Sequence, residues 1–330
     1  MSGKSRAIAL SFVGAAGYYA ANSTAICAPR STDLFATKDY FTIPNQPQRF
    51  ANAKKEKNER YLDIDSVYDP SFVKGKTVVV TGGNRGLGLA IAKELISQGA
   101  KVIVTTRSSM CKGCLPGVHK IISGVDVTDD ACGAALVAGL AGEKVDVLIN
   151  NAGYFYGPKE TLASLNTKEE LKMIDICALG PLRVTAAIKN ANLFSKKNSK
   201  IIMITSQGGS VAWRTTQNPD GGDYGHHMSK SAANMAGMLV AQEVRADGIQ
   251  VGILHPGFNK TDMTAKYAHI WEVEGAVDSS VGAKRTVHEI GQLDGKIQGF
   301  NKLHAGDGTA SAASVNCLFV NCEDGKIIPW

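Results

Sequence analysis

The chain has 330 residues, of which 44% are hydrophobic and 20% are charged, a composition typical of a soluble globular protein. Its 36 Lys and Arg against 30 Asp and Glu give a net charge of +6, and the two signs are interspersed, which argues against a nucleic-acid partner. The sequence has a single long uncharged run, so it cannot cross a membrane several times. It has seven cysteines, an odd number, which excludes a dense disulfide framework.

The N-terminal region differs from the rest of the chain. Lys4 and Arg6 precede an uncharged run over residues 7–29, the layout of a targeting peptide for a plastid, a mitochondrion or the secretory route rather than the cytoplasm. The run is also long enough to associate with a membrane as a single anchor. We therefore predict a targeting segment or membrane anchor with a linker over residues 1–48, and a charged linker over residues 49–72. Residues 49–60 within it are predicted to be either a solvated linker or a short surface helix.

From residue 73 onward, apolar strand patterns alternate with amphipathic helices. Strands are predicted at 76–80, 101–106, 120–125, 145–150, 200–205, 249–255 and 315–321, and helices at 86–97, 128–141, 167–193 and 224–247. Short β-rich runs separated by helices indicate parallel strands joined by right-handed crossovers. The predicted fold is α/β, a single doubly wound parallel sheet (a Rossmann fold) over residues 73–330.

The first predicted strand runs into a glycine-rich loop and then a helix. Glycine lets the backbone turn sharply and approach a pyrophosphate, while the helix N-terminus offers free N–H groups. This order of strand, glycine turn and helix predicts a dinucleotide site. Its residues are Thr81, Gly82, Asn84, Arg85, Gly86, Leu87 and Gly88.

The end of the second strand predicts which dinucleotide is bound. An acidic residue there would hydrogen-bond the ribose 2′-hydroxyl and repel a 2′-phosphate. The chain instead has Arg107 and no acid, and Arg85 in the glycine loop adds a second guanidinium. NADP(H) is the predicted cofactor, unless both arginines are simply solvated surface residues.

The loop and the motifs after it resemble the short-chain dehydrogenase/reductase family, whose TGxxxGxG motif is matched by Thr81, Gly82, Gly86 and Gly88. The sequence MSKSAANM at 228–235 and the Pro329-Trp330 tail are similar to a carbonyl-reductase-like branch. The resemblance covers about residues 73–330. It implies further cofactor contacts from Asp126, Val127, Asn151, Ala152, Gly153, Lys230, Pro256, Gly257 and Thr261.

The resemblance also implies a catalytic set, at which this chain departs from the family pattern. The family reduces a carbonyl with a Tyr acid, a Lys four residues later, a Ser that polarises the carbonyl and an Asn that holds a proton-relay water. Ser206 and Lys230 match, but His226 stands at the Tyr position and Cys177 at the Asn position. Tyr224 lies on another side of the helix from Lys230, so it contributes only if the helix begins later than predicted.

Two hypotheses follow from these departures. In the first, His226 is a replacement acid for a small-molecule carbonyl or alcohol substrate, although the charge of Lys230 lowers its pKa. In the second, the site has lost its chemistry, and the chain is a cofactor-binding accessory subunit of a larger complex, such as a membrane complex. The resemblance also implies a homo-oligomer.

A CxxC pair, Cys111 and Cys114, follows the second strand. A single pair lacks the further ligands of a structural zinc site, so no metal is predicted. Two free surface thiols are the favoured interpretation, and a redox-sensitive disulfide is the alternative.

Overall fold

The structure, a computed structural model, describes residues 40–110, 112–195, 198–304 and 315–330. The predicted anchor or targeting run at 7–29 lies outside these residues. Among the described residues, no helix is both long enough and apolar enough to cross a membrane.

A seven-stranded parallel sheet organises the chain, in the order β3-β2-β1-β4-β5-β6-β9. A separate two-stranded parallel sheet pairs β7 with β8. The strands are β1 Thr77–Thr81, β2 Lys101–Thr106, β3 Lys120–Ser123, β4 Val147–Asn150, β5 Lys200–Ile204, β6 Gln250–His255, β7 Asn259–Lys260, β8 Val277–Asp278 and β9 Cys317–Asn321. The strand order reverses between β1 and β4, so the carboxyl ends of these two strands border the crevice where α/β sheets bind ligands. The predicted doubly wound fold is confirmed.

The helices cover both faces of the sheet. They are α1 Gln46–Glu56, α2 Glu59–Leu62, α3 Gly86–Ser97, α4 Cys132–Leu140, α5 Thr167–Ile174, α6 Gly180–Asn190, α7 Arg214–Gln217, α8 Tyr224–Val244, α9 Trp271–Glu274 and α10 Ser279–His304. The single helix predicted at 167–193 is interrupted by a wide π turn at Asp175–Leu179. Such turns are frequent at functional sites, and this one contains Cys177.

Each face of the sheet has its own hydrophobic core. Val79 and Leu148 point into one core, while Val78 and Val80 point into the other. Because neighbouring residues of a strand point to opposite faces, a sheet covered on both sides needs apolar residues at every position. This explains why the central strands read as uninterrupted apolar runs.

Residues 49–60 lie mostly in the helices α1 and α2, so the structure shows the helix alternative and not the solvated linker. The compact unit begins before the predicted boundary at residue 73. Phe41–Trp330 form one compact unit, and the segment 41–72, here called the N-terminal arm, packs on the sheet domain. The Asn45 side chain caps α1 by accepting a hydrogen bond from the backbone of Gln48. The helix buries Gln46, Arg49 and Ala53, whose spacing of three and four residues places them on one face. The lysines of this helix lie on its exposed side.

Candidate functional site

The glycine loop after β1 forms a tight cradle at the start of α3. Gly82 and Gly86 have positive φ angles of 64° and 52°. A Cβ atom on Gly88 would lie 2.3 Å from Asn151 Nδ2, and one on Gly83 would lie 2.8 Å from a Val104 methyl. The turn therefore requires glycine for both its backbone conformation and its close contacts. The helix α3 follows this turn, and the side chain of its N-cap residue, Arg85, does not cap it, so its first N–H groups are available to a pyrophosphate.

Thr81 ties this loop to the end of β4. Its Oγ1 accepts hydrogen bonds from the backbone N–H groups of Asn151 and Ala152, both at 3.0 Å. In return, Asn151 Nδ2 donates to the Thr81 carbonyl at 3.0 Å. On the opposite side, the closest group to a Cβ on Gly86 would be the Thr261 methyl, at 3.9 Å. The structure thus brings predicted cofactor residues from three loops around one cradle.

The opposite end of the crevice carries Arg107 and Asp126. Arg107 is exposed directly after β2 and lines an open cavity of about 520 Å³ together with Thr128 and Lys172. Partial burial raises the pKa of Asp126, but hydrogen bonds from the backbone N–H and hydroxyl of Thr128 outweigh it and leave the pKa below its usual value. Val127 is buried against Gly180. An arginine, and no acidic residue, directly after β2 fits a 2′-phosphate.

Ser206 begins the turn that follows β5. Its Oγ accepts a hydrogen bond from the backbone N–H of Gly208 at 3.0 Å, which leaves the hydroxyl proton free to donate. Gly209, in the same turn, packs directly on α8: a Cβ there would lie 2.8 Å from the Lys230 carbonyl. The Thr205 hydroxyl also donates to that carbonyl, at 3.4 Å. The segments that carry Ser206 and Lys230 are therefore held side by side.

The ring of His226 lies over the same turn. A Cβ on Gly208 would lie 2.8 Å from His226 Nε2, and the Phe155 ring meets the imidazole edge to face with the ring centroids 4.9 Å apart. His226 Nδ1 is buried and has no hydrogen-bond partner among the described residues. Burial, and then the charge of Lys230, hold the pKa of His226 well below its usual value. The imidazole is consequently neutral at neutral pH.

Tyr224 does not take the place of His226. It is the first residue of α8, and the preceding Asp223 has a positive φ angle of 50°. Because the helix starts at Tyr224, the late start that would let this side chain turn towards Lys230 does not occur.

Cys177 is buried in the π turn between α5 and α6. Its Sγ lies 3.6 Å from the carbonyl oxygen of Tyr154, to which the thiol donates weakly. An asparagine would present an amide with both donors and acceptors. The thiol offers no comparable group to hold a proton-relay water.

Two residues near His226 were missed by the sequence analysis. Lys266 Nζ donates to the Gly157 carbonyl at 2.6 Å and lies 4.1 Å from the Phe155 ring centroid and 4.8 Å from that of Tyr267. Phe155 comes only two residues after Gly153. Its closeness to this predicted cofactor motif was the sequence signal that could have identified it. Nothing local in the sequence indicates that Lys266 reaches across to it.

The expectation of two free thiols in the CxxC pair is wrong for Cys114, which is disulfide-bonded. Cys111 lies outside the described residues. In the part of the chain that the structure describes, no group of three or more His, Cys, Asp or Glu residues is arranged to hold a metal ion.

Comparisons with known proteins give a consistent result. The model of the short chain dehydrogenase family matches residues 76–270. The chain is 32% identical over 193 residues to the 1-hydroxy-2-glutathionyl-2-methyl-3-butene dehydrogenase of Rhodococcus sp. (strain AD45), covering 58% of this chain and 81% of that protein. It is 31% identical over 196 residues to the 3-oxoacyl-acyl-carrier-protein reductase FabG of Escherichia coli (strain K12), covering 58% and 76%.

Solved structures with the same fold include two carbonyl reductases. The NADPH-bound carbonyl reductase from chicken fatty liver superposes with a TM-score of 0.57 and 24% identity, covering 78% of this chain and 100% of that one. The carbonyl reductase Sniffer of D. melanogaster gives a TM-score of 0.57 and 22% identity, with the same coverage.

Proposed function

The chain belongs to the short-chain dehydrogenase family, and on that basis we propose that it binds NADP(H) and reduces the carbonyl group of a small molecule. The proposal rests on one observation, which is that Ser206, His226 and Lys230 all adjoin the turn after β5. Ser206 starts this turn, Gly208 touches the ring of His226, and Gly209 rests on the backbone of Lys230. The proposal takes these contacts to bring the Ser206 hydroxyl, the His226 imidazole and the Lys230 ammonium together at the mouth of the dinucleotide cradle. These three groups are suited to polarising and protonating a carbonyl oxygen.

The residues present fit NADP(H). The N–H groups of the glycine loop and the start of α3 would hold the pyrophosphate, and Arg107 with Arg85 would hold the 2′-phosphate. Asp126 and Val127 would flank the adenine. The nicotinamide half would lie against Lys230 of α8 and the residues that follow β4 and β6: Asn151, Ala152, Gly153, Pro256, Gly257 and Thr261. When bound in its reduced form, the cofactor would supply a hydride to the carbonyl carbon.

The chain's own residues act on the carbonyl oxygen. The free proton of the Ser206 hydroxyl donates to that oxygen and stabilises the negative charge that develops there. The ammonium of Lys230 favours the same charge. His226 is the group placed to deliver a proton, but its lowered pKa leaves only a small fraction protonated at neutral pH. We therefore expect turnover to be slow at pH 7 and faster in acid.

A second candidate function is cofactor binding without turnover, as an accessory subunit. The buried thiol of Cys177 at the Asn position favours it, because the water that relays protons in an active member of the family has no amide to hold it. An organellar location, membrane association through residues 7–29 and self-association also stay predictions.

The two functions are separated by measuring binding and turnover together. Calorimetric titration with NADPH tests the cradle, and NADPH oxidation with a panel of aldehydes and quinones at pH 5.5 tests the chemistry. Turnover that is lost in His226→Phe, with NADPH affinity retained, supports reduction through His226. Tight NADPH binding with no turnover of any substrate supports the accessory role.

A further inference from the structure

The N-terminal arm lies outside the segment that the family model matches, residues 76–270, yet it reaches the candidate site. Arg49 of α1 is buried, with only 4% of its surface exposed. Its Nη2 donates to Gln207 Oε1 at 2.7 Å, and Gln207 directly follows Ser206. The same nitrogen lies 3.3 Å from Glu323 Oε2, with which it forms a buried ion pair. One guanidinium therefore bridges the Ser206 turn and the segment after β9.

Glu323 extends this link to the turn after β6. Its Oε1 accepts hydrogen bonds from the backbone N–H of Phe258 at 3.2 Å and from Gln46 Nε2 at 2.8 Å. The turn also packs tightly against this side chain, because a Cβ on Gly257 would lie 2.6 Å from Glu323 Cγ. Arg49 and Glu323 together connect the two turns that border the nicotinamide half of the proposed cofactor site.

The pair is charged despite its burial. Desolvation raises the pKa of Glu323, but the charge of Arg49, with a smaller contribution from Arg285, brings it down to about 2. His255, next to the pair, is neutral because burial lowers its pKa to about 4. A buried carboxylate that loses its cation must move or take up a proton. Either response would disturb the hydrogen bond to Phe258.

The arm also holds the end of the lid, the segment 258–276. Gln46 Nε2 donates to the Glu274 carbonyl at 3.2 Å. The Phe50 ring closes on Gly275, where a Cβ would lie 2.6 Å from a ring carbon. Together, Gln46, Arg49 and Phe50 of the arm contact three segments around the site.

We propose that Arg49 is a positioning residue that fixes the Ser206 turn relative to the Gly257 turn, so that the arm is part of the nicotinamide half of the cofactor site. This inference rests on the proposed binding of NADP(H). The inference concerns how the nicotinamide half is bound, so its test measures binding and not the chemical step.

A purely stabilising arm is the competing explanation, and Arg60 offers a matched control. Arg60 also joins the arm to a buried carboxylate, that of Glu289, and its Nη2 donates to the Cys322 carbonyl at 3.3 Å. None of its contacts involves Gln207, Gly257 or Phe258. Arg60→Met therefore removes an ion pair between the arm and a buried carboxylate without removing a contact to either turn. Glu289 keeps Lys296 Nζ at 2.9 Å as a second cation.

The experiment measures two affinities for the full chain and its variants by calorimetry. NADPH probes the whole site, whereas 2′,5′-ADP probes only the adenosine half. We expect Arg49→Met to weaken NADPH binding by about tenfold and to leave 2′,5′-ADP binding within about twofold. Arg60→Met should change neither affinity by more than about twofold, although both variants lower the melting temperature. The NADPH affinity of Arg49→Lys should lie between those of the wild type and Arg49→Met, because a lysine has no planar fork with which to bridge two acceptors.

Gln207→Leu keeps the ion pair and removes only the link to the Ser206 turn, so it tests the proposal even if Arg49→Met does not fold. It should also weaken NADPH binding and spare 2′,5′-ADP binding. Unchanged NADPH affinity in Gln207→Leu and Arg49→Lys would overturn the proposal, as would parallel losses of both affinities in Arg49→Met. A wild-type chain that binds neither ligand would instead refute the proposed function, and this inference with it.

Discussion

Gly209 rests directly on the backbone of Lys230. A Cβ atom on Gly209 would lie 2.8 Å from both the carbonyl carbon and the carbonyl oxygen of Lys230. Real Cβ atoms do not approach a backbone so closely, and neither backbone segment can yield as a flexible side chain would. Because Gly209 has no side chain, the Ser206 turn can lie this close to α8. The same contact sets the arrangement of the candidate catalytic groups.

Gly209→Ala should therefore push the turn away from α8. We expect a loss of unfolding free energy of about 1–3 kcal/mol, as for overpacked cores, and a fall in any reductase activity. Gly295→Ala is the control, because its Cβ would meet nothing within 4 Å inside α10. That variant should be as stable as the wild type or more stable. Urea denaturation of both variants is the measurement, and equal stabilities would show that the contact does not set the spacing.

Arg107→Ala should selectively weaken the binding of NADPH. Losing a charge-assisted contact to a phosphate costs about 1.5–3 kcal/mol, or roughly ten- to a hundredfold in affinity, whereas NADH has no 2′-phosphate to lose. Titration of the wild type and the variant with both dinucleotides checks this. A wild type that binds the two equally well would mean that Arg107 is only a solvated surface residue.

Stability should fall as the pH is lowered from about 6.5 towards 4. Burial lowers the pKa of His255 to about 4 in the folded chain, and it also lowers the pKa of His226. Within this window the unfolded chain takes up protons that the folded chain cannot accept, so the free energy of unfolding decreases with decreasing pH. Each such histidine contributes a slope of up to about 1.4 kcal/mol per pH unit.

His255→Leu removes one of these histidines and should reduce that slope. Its ring nitrogens have no hydrogen-bond partner within the described part of the chain, so a leucine leaves no donor or acceptor unpaired. Urea denaturation of the wild type and the variant at pH 7 and pH 5 gives the two slopes. Identical slopes would mean that His255 is hydrated or charged in the folded protein.

The N-terminal arm should contribute measurably to stability. A chain starting at residue 58 lacks Gln46 and Arg49, and it leaves the buried carboxylate of Glu323 without its cation. Losing one partner of a buried ion pair costs about 3–5 kcal/mol. A chain starting at residue 40 is the reference, because it keeps the whole arm. Thermal melts that coincide for these two forms would contradict the packing of α1 described above.

The sequence predicted the sheet domain well because its signals are local. The apolar run Thr77–Thr81 and the glycines after it required no knowledge of the rest of the chain. The arm was misread because its buried polar residues have distant partners. Arg49 belongs to a highly charged stretch, and its partner Glu323 lies 274 residues away in the sequence. The local signal for the start of α1 is Asn45, which caps the helix, followed by Pro47 in its first turn.

At the candidate site, the identity of the residues could be predicted from the sequence, but the full lowering of the pKa of His226 could not. The like charge of Lys230 near His226 follows from the spacing of the two residues on one helix. The burial of the imidazole depends on Phe155, which comes from the loop after β4. It is this burial that makes the largest contribution to the lowered pKa of His226.

The central claim, carbonyl reduction with His226 as the proton donor, is tested most directly by one set of rates. NADPH oxidation is followed from pH 5 to pH 9 for the wild type, His226→Phe and His226→Tyr, with one quinone and one aldehyde as substrates. We expect the wild-type rate to rise as the pH falls below 7. His226→Phe should lose this rise, and at pH 7 it should be slower than His226→Tyr by about 10²–10⁴-fold. If all three bind NADPH and none oxidises it at any pH, the claim is contradicted.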